Sequence, residues 1–228
     1  MEPLDPLRGP VRAVVFDMDG VLIDSEVIWR RVRADYAAER GQQWTEADQM
    51  DLLGRSTPDW SARMRMRLQI THLSAAELAQ EIVQRVLLAF AQDLPQRPGA
   101  AAALQALAAR YPVALASGSP RVLVECAMAS TGFGPYFQSI LCGDDVQHGK
   151  PHPEIYLRSL QRLGTTGEHA AGIEDAPSGL RALRAAGMWA IAAPCPEFPL
   201  DAAAQTLAHA HITTLHDLTP ALVDALGA

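Results

Sequence analysis

The fold is decided by a stretch near the start of the chain, VRAVVFDMDG at residues 11–20. Its first six residues are apolar and rich in valine, apart from Arg12, which is typical of a strand buried inside a parallel sheet. The apolar run stops at Asp17, and a second acid, Asp19, stands directly before a glycine turn. We therefore expect a buried strand whose carboxyl end presents two carboxylates.

Four further apolar runs have the same profile, and segments with helical periodicity separate them: residues 113–116, 139–142, 170–173 and 189–192. Strands that alternate with helices form right-handed βαβ units, in which helices cover both faces of a parallel sheet. The sequence therefore predicts an α/β protein with a doubly wound parallel sheet. His209, His211 and His216 are assigned to a final strand and its loop.

Residues 25–96 follow a different pattern, with no credible strand and with helical segments that break at Gly41, Gly54, Pro58 and His72. This stretch is predicted to be an inserted helical module. The core domain is accordingly assigned to residues 1–24 and 97–228, and the insert to residues 25–96.

The composition is that of a folded protein: 228 residues, 49% of them hydrophobic and 20% charged. The net charge of −7 disfavours a nucleic-acid partner, whose binding domains are usually strongly basic. No apolar run approaches the roughly 20 residues of a membrane span, and residues 1–10 lack a leader pattern, so we expect a cytoplasmic protein without membrane contact. Three cysteines without a CxxC pattern indicate neither a disulfide framework nor a zinc site.

Polar residues follow the predicted strands where each one ends, and ligands of open parallel sheets bind at that edge. The second strand runs into Ser117-Gly118-Ser119, and the exit loop of the third carries the only lysine of the chain. We expect four acids, one hydroxyl and one ammonium to meet there: Asp17, Asp19, Glu174, Asp175, Ser117 and Lys150.

Clustered carboxylates repel one another unless a cation is present, and hard oxygen ligands suit Mg²⁺. Asp17 and Asp175 are the natural ligands, with Glu174 as a candidate third. A lysine and a serine beside the metal would bind phosphoryl oxygens, which implies a phosphate monoester as ligand. Asp17 is assigned as nucleophile and Asp19 as general acid and base, although either aspartate taken alone could merely cap a turn.

Four stretches in this order resemble the motifs of the haloacid dehalogenase-like hydrolases: residues 17–26, 116–119, 149–153 and 173–179. The match spans the core from Val11 to about Ala193. The resemblance implies a Rossmann-like core, with the inserted helices in the place of that family's subclass I cap.

The resemblance also implies roles for single residues. The residue that matches Asp17 becomes transiently phosphorylated, and the one that matches Asp19 combines acid and base catalysis with a backbone carbonyl ligand to Mg²⁺. The residue that matches Ser117 binds the phosphoryl oxygens, with Gly118 beside it, and Lys150 steadies both nucleophile and phosphate.

Together with the residues above, the metal set implied by the resemblance is Asp17, Asp19, Glu174 and Asp175. The cofactor is Mg²⁺, and because this cap type often works as a monomer, we expect a monomer. The partner is expected to be a small-molecule phosphate ester.

Several branches of the family fit less well. Dehalogenases lack the second carboxylate that Asp19 supplies, and the phosphonate-cleaving branch needs a lysine in the cap, whereas the one lysine here is Lys150. β-Phosphoglucomutases carry a histidine where this chain has Trp29. They also carry an arginine directly after the Gly-x-Ser of the cap, where this chain has Thr57 after Gly54-Arg55-Ser56. They use, in addition, a lysine of the cap, which this chain lacks. The first and second motifs are instead similar to those of bacterial sugar-phosphate phosphatases, including the hexitol and 2-deoxyglucose-6-phosphate type.

The resulting prediction is a Mg²⁺-dependent phosphatase that hydrolyses a small sugar or polyol phosphate through an aspartyl-phosphate intermediate. Two alternatives stay open: a β-phosphoglucomutase-type mutase, and a non-catalytic protein that binds phospholigands on the same fold. Glu26, Trp29 and Arg55 are assigned to substrate binding from the cap. The alternative for Trp29 is helix packing, and for Arg55 a solvated or capping charge.

Overall fold

The computed structural model describes residues 9–52, 54–193, 195 and 199–227. Residues 1–8, on which the expectation about a leader rests, and residues 53, 194, 196–198 and 228 lie outside the described residues. The predicted domain ranges therefore extend slightly beyond the part of the chain discussed below.

Among the described residues, six strands form one sheet in the order β3-β2-β1-β4-β5-β6, and every neighbouring pair is parallel. The predicted fold class is thus confirmed. The order reverses between β1 and β4, so the ends of these two central strands flank the crevice where ligands of doubly wound sheets bind. The strands are β1 Ala13–Phe16, β2 Val113–Ala116, β3 Ser139–Leu141, β4 Ala170–Glu174, β5 Trp189–Ala192 and β6 Ala210–His211.

Ten α-helices are described around the sheet. They are α1 Glu26–Ala38, α2 Glu46–Leu52, α3 Thr57–Arg67, α4 Ala75–Gln92, α5 Ala100–Ala108, α6 Arg121–Thr131, α7 Glu154–Leu163, α8 Pro177–Ala185, α9 Ala202–Gln205 and α10 Pro220–Leu226. None of the described helices is both long enough and apolar enough to cross a membrane.

The β1 strand is buried on both faces, as its continuous apolar run predicts. Val14 and Phe16 pack into one apolar cluster together with α5 and α6, whereas Ala13 and Val15 pack into a second cluster with α7 and α8. Because both faces are covered, the polar residues that follow the strand are directed to the edge of the sheet.

The helices α1 to α4 all lie between β1 and β2 in the chain. The two connections to the core run side by side: the N–H of Asp24 donates to the carbonyl of Pro95 at 2.8 Å, and the N–H of Arg97 donates to that of Leu22 at 3.0 Å. The bounds 25–96 for a separate cap stay a prediction, but entry and exit of the insert are hydrogen-bonded to each other.

The predicted helix breaks fall between helices, with one difference. Gly41 and Gly54 adopt positive φ angles of +69° and +68° in the connections, where glycine is favoured, and His72 lies between α3 and α4. Pro58 instead lies in the first turn of α3. A proline is tolerated there because the first N–H groups of a helix have no partner within it.

Candidate active site

The ends of β1, β2 and β4 carry the predicted polar residues to one place. Asp17 follows β1 directly, Ser117 follows β2, and β4 ends at Glu174 with Asp175 next in the chain. Asp17, Ser117 and Glu174 are buried in spite of their polarity. Lys150 comes from the loop between β3 and α7 and reaches the same point.

The Lys150 ammonium has three acceptors around it. It donates to Asp17 Oδ1 at 2.6 Å, to Glu174 Oε1 at 2.8 Å and to the carbonyl of Ala116 at 3.0 Å. Burial lowers the pKa of Lys150, but the charges of Asp17 and Glu174 outweigh it and hold this pKa well above its usual value. The site therefore contains a permanent cation beside the predicted nucleophile.

Asp17, Glu174 and Asp175 offer carboxylate oxygens that all lie within 4.8 Å of one another. Burial, together with the neighbouring carboxylates, raises the pKa of Asp17 to about 8 and that of Asp175 well above its usual range. A divalent cation would relieve this repulsion, and three hard oxygen donors fit Mg²⁺. Gly20, with φ +76°, leaves room for the Asp175 carboxylate, which a Cβ at that position would overlap.

Another group with metal-ligand chemistry, His148, His152 and Glu154, lies on the loop and first turn around Lys150. The two histidines are exposed. Glu154 already accepts hydrogen bonds from the N–H groups of Gln147 and His148, at 3.2 and 3.0 Å. The Glu154 carboxylate therefore stabilises the conformation of this loop. The cluster of Asp17, Glu174 and Asp175 is the better candidate for a magnesium site.

Asp19 accepts three hydroxyl hydrogen bonds. Ser25 Oγ donates to its Oδ1 at 2.6 Å, and Ser117 and Ser119 donate to its Oδ2 at 3.1 and 2.8 Å. These donors fix the orientation of the carboxylate predicted to act as acid and base. Ser25 and Ser119 were not assigned to the site from the sequence, although both stand within the quoted motifs.

Tyr156 is a third residue, after Ser25 and Ser119, that sequence reasoning missed. Its hydroxyl donates to Glu174 Oε1 at 2.6 Å, and its ring centroid lies 5.0 Å from the Lys150 ammonium. The other Glu174 oxygen accepts from the N–H groups of Asp175 and Ala176. Tyr156 is fully buried in α7 and looks in sequence like any aromatic core residue, so no chemical signal pointed to it.

The predicted cap residues lie in different settings. Trp29 is 7% exposed and packs edge-on against Trp60, with 5.6 Å between ring centroids. Arg55 pairs with Asp51 at 3.2 Å and with Asp59 at 2.8 Å, so its charge is already compensated within the insert.

Glu26 is the first residue of α1 and follows Ser25, whose hydroxyl donates to Asp19 of the core site. The carbonyl of Gly54, the residue before Arg55, accepts from the Ser178 hydroxyl of the core at 3.3 Å. On the core side, a Cβ on Gly118 would meet no described atom within 4 Å, which leaves that backbone open to a ligand. The substrate-binding roles of Glu26, Trp29, Arg55 and Gly118 stay predictions.

Known proteins resemble this chain over most of its length. Fructose-1-phosphate phosphatase YqaB of Escherichia coli (strain K12) is 31% identical over 182 residues, which cover 78% of this chain and 94% of the relative. Hexitol phosphatase B of the same strain is 28% identical over 211 residues, covering 92% and 95%.

Solved structures agree in fold. CbbY from Rhodobacter sphaeroides in complex with phosphate superposes with a TM-score of 0.82 at 26% identity, covering 94% of this chain and 99% of that one. A putative beta-phosphoglucomutase from Thermotoga maritima gives a TM-score of 0.74 at 28% identity, covering 91% and 97%.

A family model described as haloacid dehalogenase-like hydrolase matches residues 11–187, the region that contains all four motifs. The match covers well over half of the chain and includes both the central strands and the inserted helices. The resemblance stated from the motifs is thereby confirmed, and the chain belongs to the haloacid dehalogenase-like hydrolase family.

Proposed function

We propose that this chain is a Mg²⁺-dependent phosphatase that hydrolyses a small sugar or polyol phosphate through an aspartyl-phosphate intermediate. The observation that carries the proposal is the Lys150 ammonium, on a side chain only 11% exposed, which bridges Asp17 at 2.6 Å and Glu174 at 2.8 Å beside a third carboxylate, Asp175. Two relatives named as fructose-1-phosphate and hexitol phosphatases support the substrate class.

Asp17 is the proposed nucleophile. Its Oδ1 is held by Lys150, so the carboxylate is oriented and its charge is balanced while it forms a bond to phosphorus. The P–O bond to the substrate alcohol breaks on the opposite side, and phosphorus remains bonded to Asp17. Lys150 also supplies positive charge beside the phosphoryl oxygens, which favours transfer.

Asp19 is the proposed acid and base. It gives a proton to the departing alcohol and later takes one from the water that attacks the aspartyl phosphate. The hydroxyls of Ser25, Ser117 and Ser119 hold its carboxylate in place through both steps. A carboxylate that is fixed before reaction need not be reoriented at the transition state.

Magnesium would be held by the side chains of Asp17, Glu174 and Asp175, with the backbone of Asp19 as the further ligand that the family resemblance implies. When bound, it supplies positive charge that balances the clustered carboxylates and the phosphoryl group. We also propose that the protein is a monomer and that residues 25–96 form a cap that covers the site and excludes bulk water.

The first experiment measures phosphate release with and without Mg²⁺ for the wild type, Asp17→Asn and Asp35→Asn. Asp35 is an exposed carboxylate of α1 and serves as the matched control. We expect Asp17→Asn to abolish release and Asp35→Asn to leave it unchanged. Undiminished turnover by Asp17→Asn would overturn the nucleophile assignment, and no release by any protein would favour a phospholigand-binding function.

The second experiment separates hydrolysis from isomerisation. The wild type is assayed on hexose, pentose, polyol, glycolyl and nucleotide phosphates, with glucose 1-phosphate also scored for formation of glucose 6-phosphate. We expect phosphate release to be fastest from a sugar or polyol phosphate. Net isomerisation would instead identify a mutase.

A further inference from the structure

A charged pair, with Arg33 buried and Glu26 partly buried, lies in the inserted helices on one face of α1. Glu26, Trp29 and Arg33 follow one another at spacings of three and four residues, which places them on the same side of the helix. Glu26 directly follows Ser25, whose hydroxyl is 2.6 Å from Asp19. The face therefore begins beside the proposed acid and base and leads away from it into the insert.

Arg33 is incompletely paired in spite of its burial. Its side chain is 5% exposed, and its Nε and Nη1 find no hydrogen-bond acceptor among the described residues. The nearest carboxylate oxygen, Glu26 Oε1, lies 3.8 Å from Nη1, which is too far for a hydrogen bond. A buried donor without a partner is costly, and more so when it carries charge, so this arrangement indicates a missing polar partner.

The surroundings of the pair suit a carbohydrate. The guanidinium lies 4.8 Å from the ring centroid of Trp29 and 5.5 Å from that of Trp60. Gln49 Nε2 donates to Glu26 Oε1, the oxygen that faces Arg33, and so holds this carboxylate in place. A guanidinium, a carboxylate and an indole together offer a donor, an acceptor and an apolar surface, and a sugar presents hydroxyls and C–H groups to match.

We infer that Glu26 and Arg33 form a hydroxyl-binding subsite for the leaving group of the substrate. One hydroxyl oxygen can accept a hydrogen bond from Arg33 Nη1 and donate one to Glu26 Oε1. These two atoms are 3.8 Å apart, so an oxygen placed beside them can lie within hydrogen-bond distance of both. The inference rests on the proposed function, which it deepens by assigning the recognition of the polyol part. Because the Arg33 side chain is 5% exposed, access requires the side chains that cover it to move as the substrate enters.

The charges of the subsite also bear on which substrates it accepts. Arg33 is balanced by Glu26, and Arg55 is balanced by Asp51 and Asp59. Neither arginine therefore has an unbalanced positive charge that could bind the second phosphate of a bisphosphate substrate. We expect monophosphates with neutral hydroxyls to be preferred over bisphosphates.

The kinetic test compares sorbitol 6-phosphate with n-hexyl phosphate, which has the same carbon chain without the hydroxyls. The test variant is Arg33→Met combined with Glu26→Gln, which leaves neither charge buried alone. We expect kcat/KM for sorbitol 6-phosphate, divided by kcat/KM for n-hexyl phosphate, to fall by about 10- to 100-fold. This is the effect of losing hydrogen bonds to charged groups. Arg30→Met, at an exposed arginine of the same helix, is the matched control and should leave the ratio unchanged.

A purely structural role for the pair predicts a different result. Both substrates would then lose activity equally, and the ratio would stay constant, which would overturn the inference. Thermal unfolding of the double variant checks that it folds. If it does not, Arg33→Lys, which keeps the charge but has fewer donors, is measured in its place and should lower the ratio in the same direction.

A binding measurement separates failure of this inference from failure of the proposed function. In the Asp17→Asn background, calorimetry compares the affinity for sorbitol 6-phosphate with that for inorganic phosphate. We expect the sugar phosphate to bind more tightly, and the Arg33→Met/Glu26→Gln changes to remove most of the difference. Retained selectivity after these changes would overturn the subsite, whereas selectivity in a wild type that releases no phosphate would overturn only the proposed catalysis.

Discussion

The Lys150 ammonium holds together groups from three strands of the site. Lys150 contacts Asp17 and Glu174, which come from two neighbouring strands, and the carbonyl of Ala116 from a third. All three of its N–H donors are used. A compact group with tetrahedral donors suits this arrangement, whereas a planar guanidinium does not.

Replacing Lys150 by arginine tests this residue directly. We expect Lys150→Arg to lower kcat by about 100-fold or more although the charge is kept, because the larger planar group cannot satisfy the same three acceptors in a buried position. Steady-state kinetics on the best substrate measure the loss, and thermal unfolding confirms that the variant folds. Near-normal turnover would show that only the charge matters.

Edge strands of the sheet are held by fewer contacts than the central pair. The two residues of β6 pair only with β5, and His209 precedes them. His209 Nδ1 accepts from the N–H of Ala190 at 2.9 Å, and its ring lies edge-on to Trp189 at 4.8 Å. The neutral imidazole therefore joins β5 to the start of β6.

Acid should weaken this edge of the sheet. Burial, followed by the charge of Arg184, lowers the pKa of His209 from 6.5 to about 4. Because the folded value is lower than the unfolded one, the stability that the neutral ring contributes is present above pH 6.5 and is lost as the pH falls towards 4. Chemical denaturation across this range should show the free energy of unfolding decreasing less steeply in His209→Gln than in the wild type.

An exposed histidine provides the control for that measurement. His72 lies on the connection between α3 and α4 and is exposed. His72→Gln should leave the pH dependence unchanged. An equal change in both variants would show that His209 does not carry the effect.

At the scale of the whole molecule, the carboxylate cluster would link the stability of the fold to the proposed binding of magnesium. Asp17 and Asp175 sit at the ends of the two central strands, and repulsion among buried carboxylates acts on the middle of the sheet. A cation that binds there in the folded state and not in the unfolded chain would stabilise the folded state.

Magnesium should stabilise the protein more at higher pH. The pKa of Asp17 is raised from 3.8 to about 8, so in metal-free protein its contribution to stability falls as the pH rises through this range. The increase in Tm on adding Mg²⁺ is therefore expected to grow from about pH 6 to about pH 8. Differential scanning calorimetry measures this gain, and Asp17→Asn should make it smaller and less dependent on pH. A gain independent of pH in the wild type would contradict the expectation.

The sequence by itself determined the parallel α/β fold and the set of reactive residue types at its edge. Apolar runs that end in Asp17, Ser117 and Glu174 specify buried strands, and parallel strands must place their carboxyl ends together. Lys150 could be assigned to the same edge because its loop follows a strand of that sheet. These inferences depend on local periodicity and on a general rule of topology, so no knowledge of individual contacts was needed.

Only the tertiary structure decided which side chains meet across the chain. Lys150 and Asp17 are 133 residues apart, and Tyr156 reaches Glu174 from α7. Arg33 lies beside the rings of Trp29 and Trp60, and its Nε and Nη1 have no acceptor among the described residues. Periodicity predicts which face of a helix is buried, but the partner that a side chain finds there depends on how separate helices pack in space.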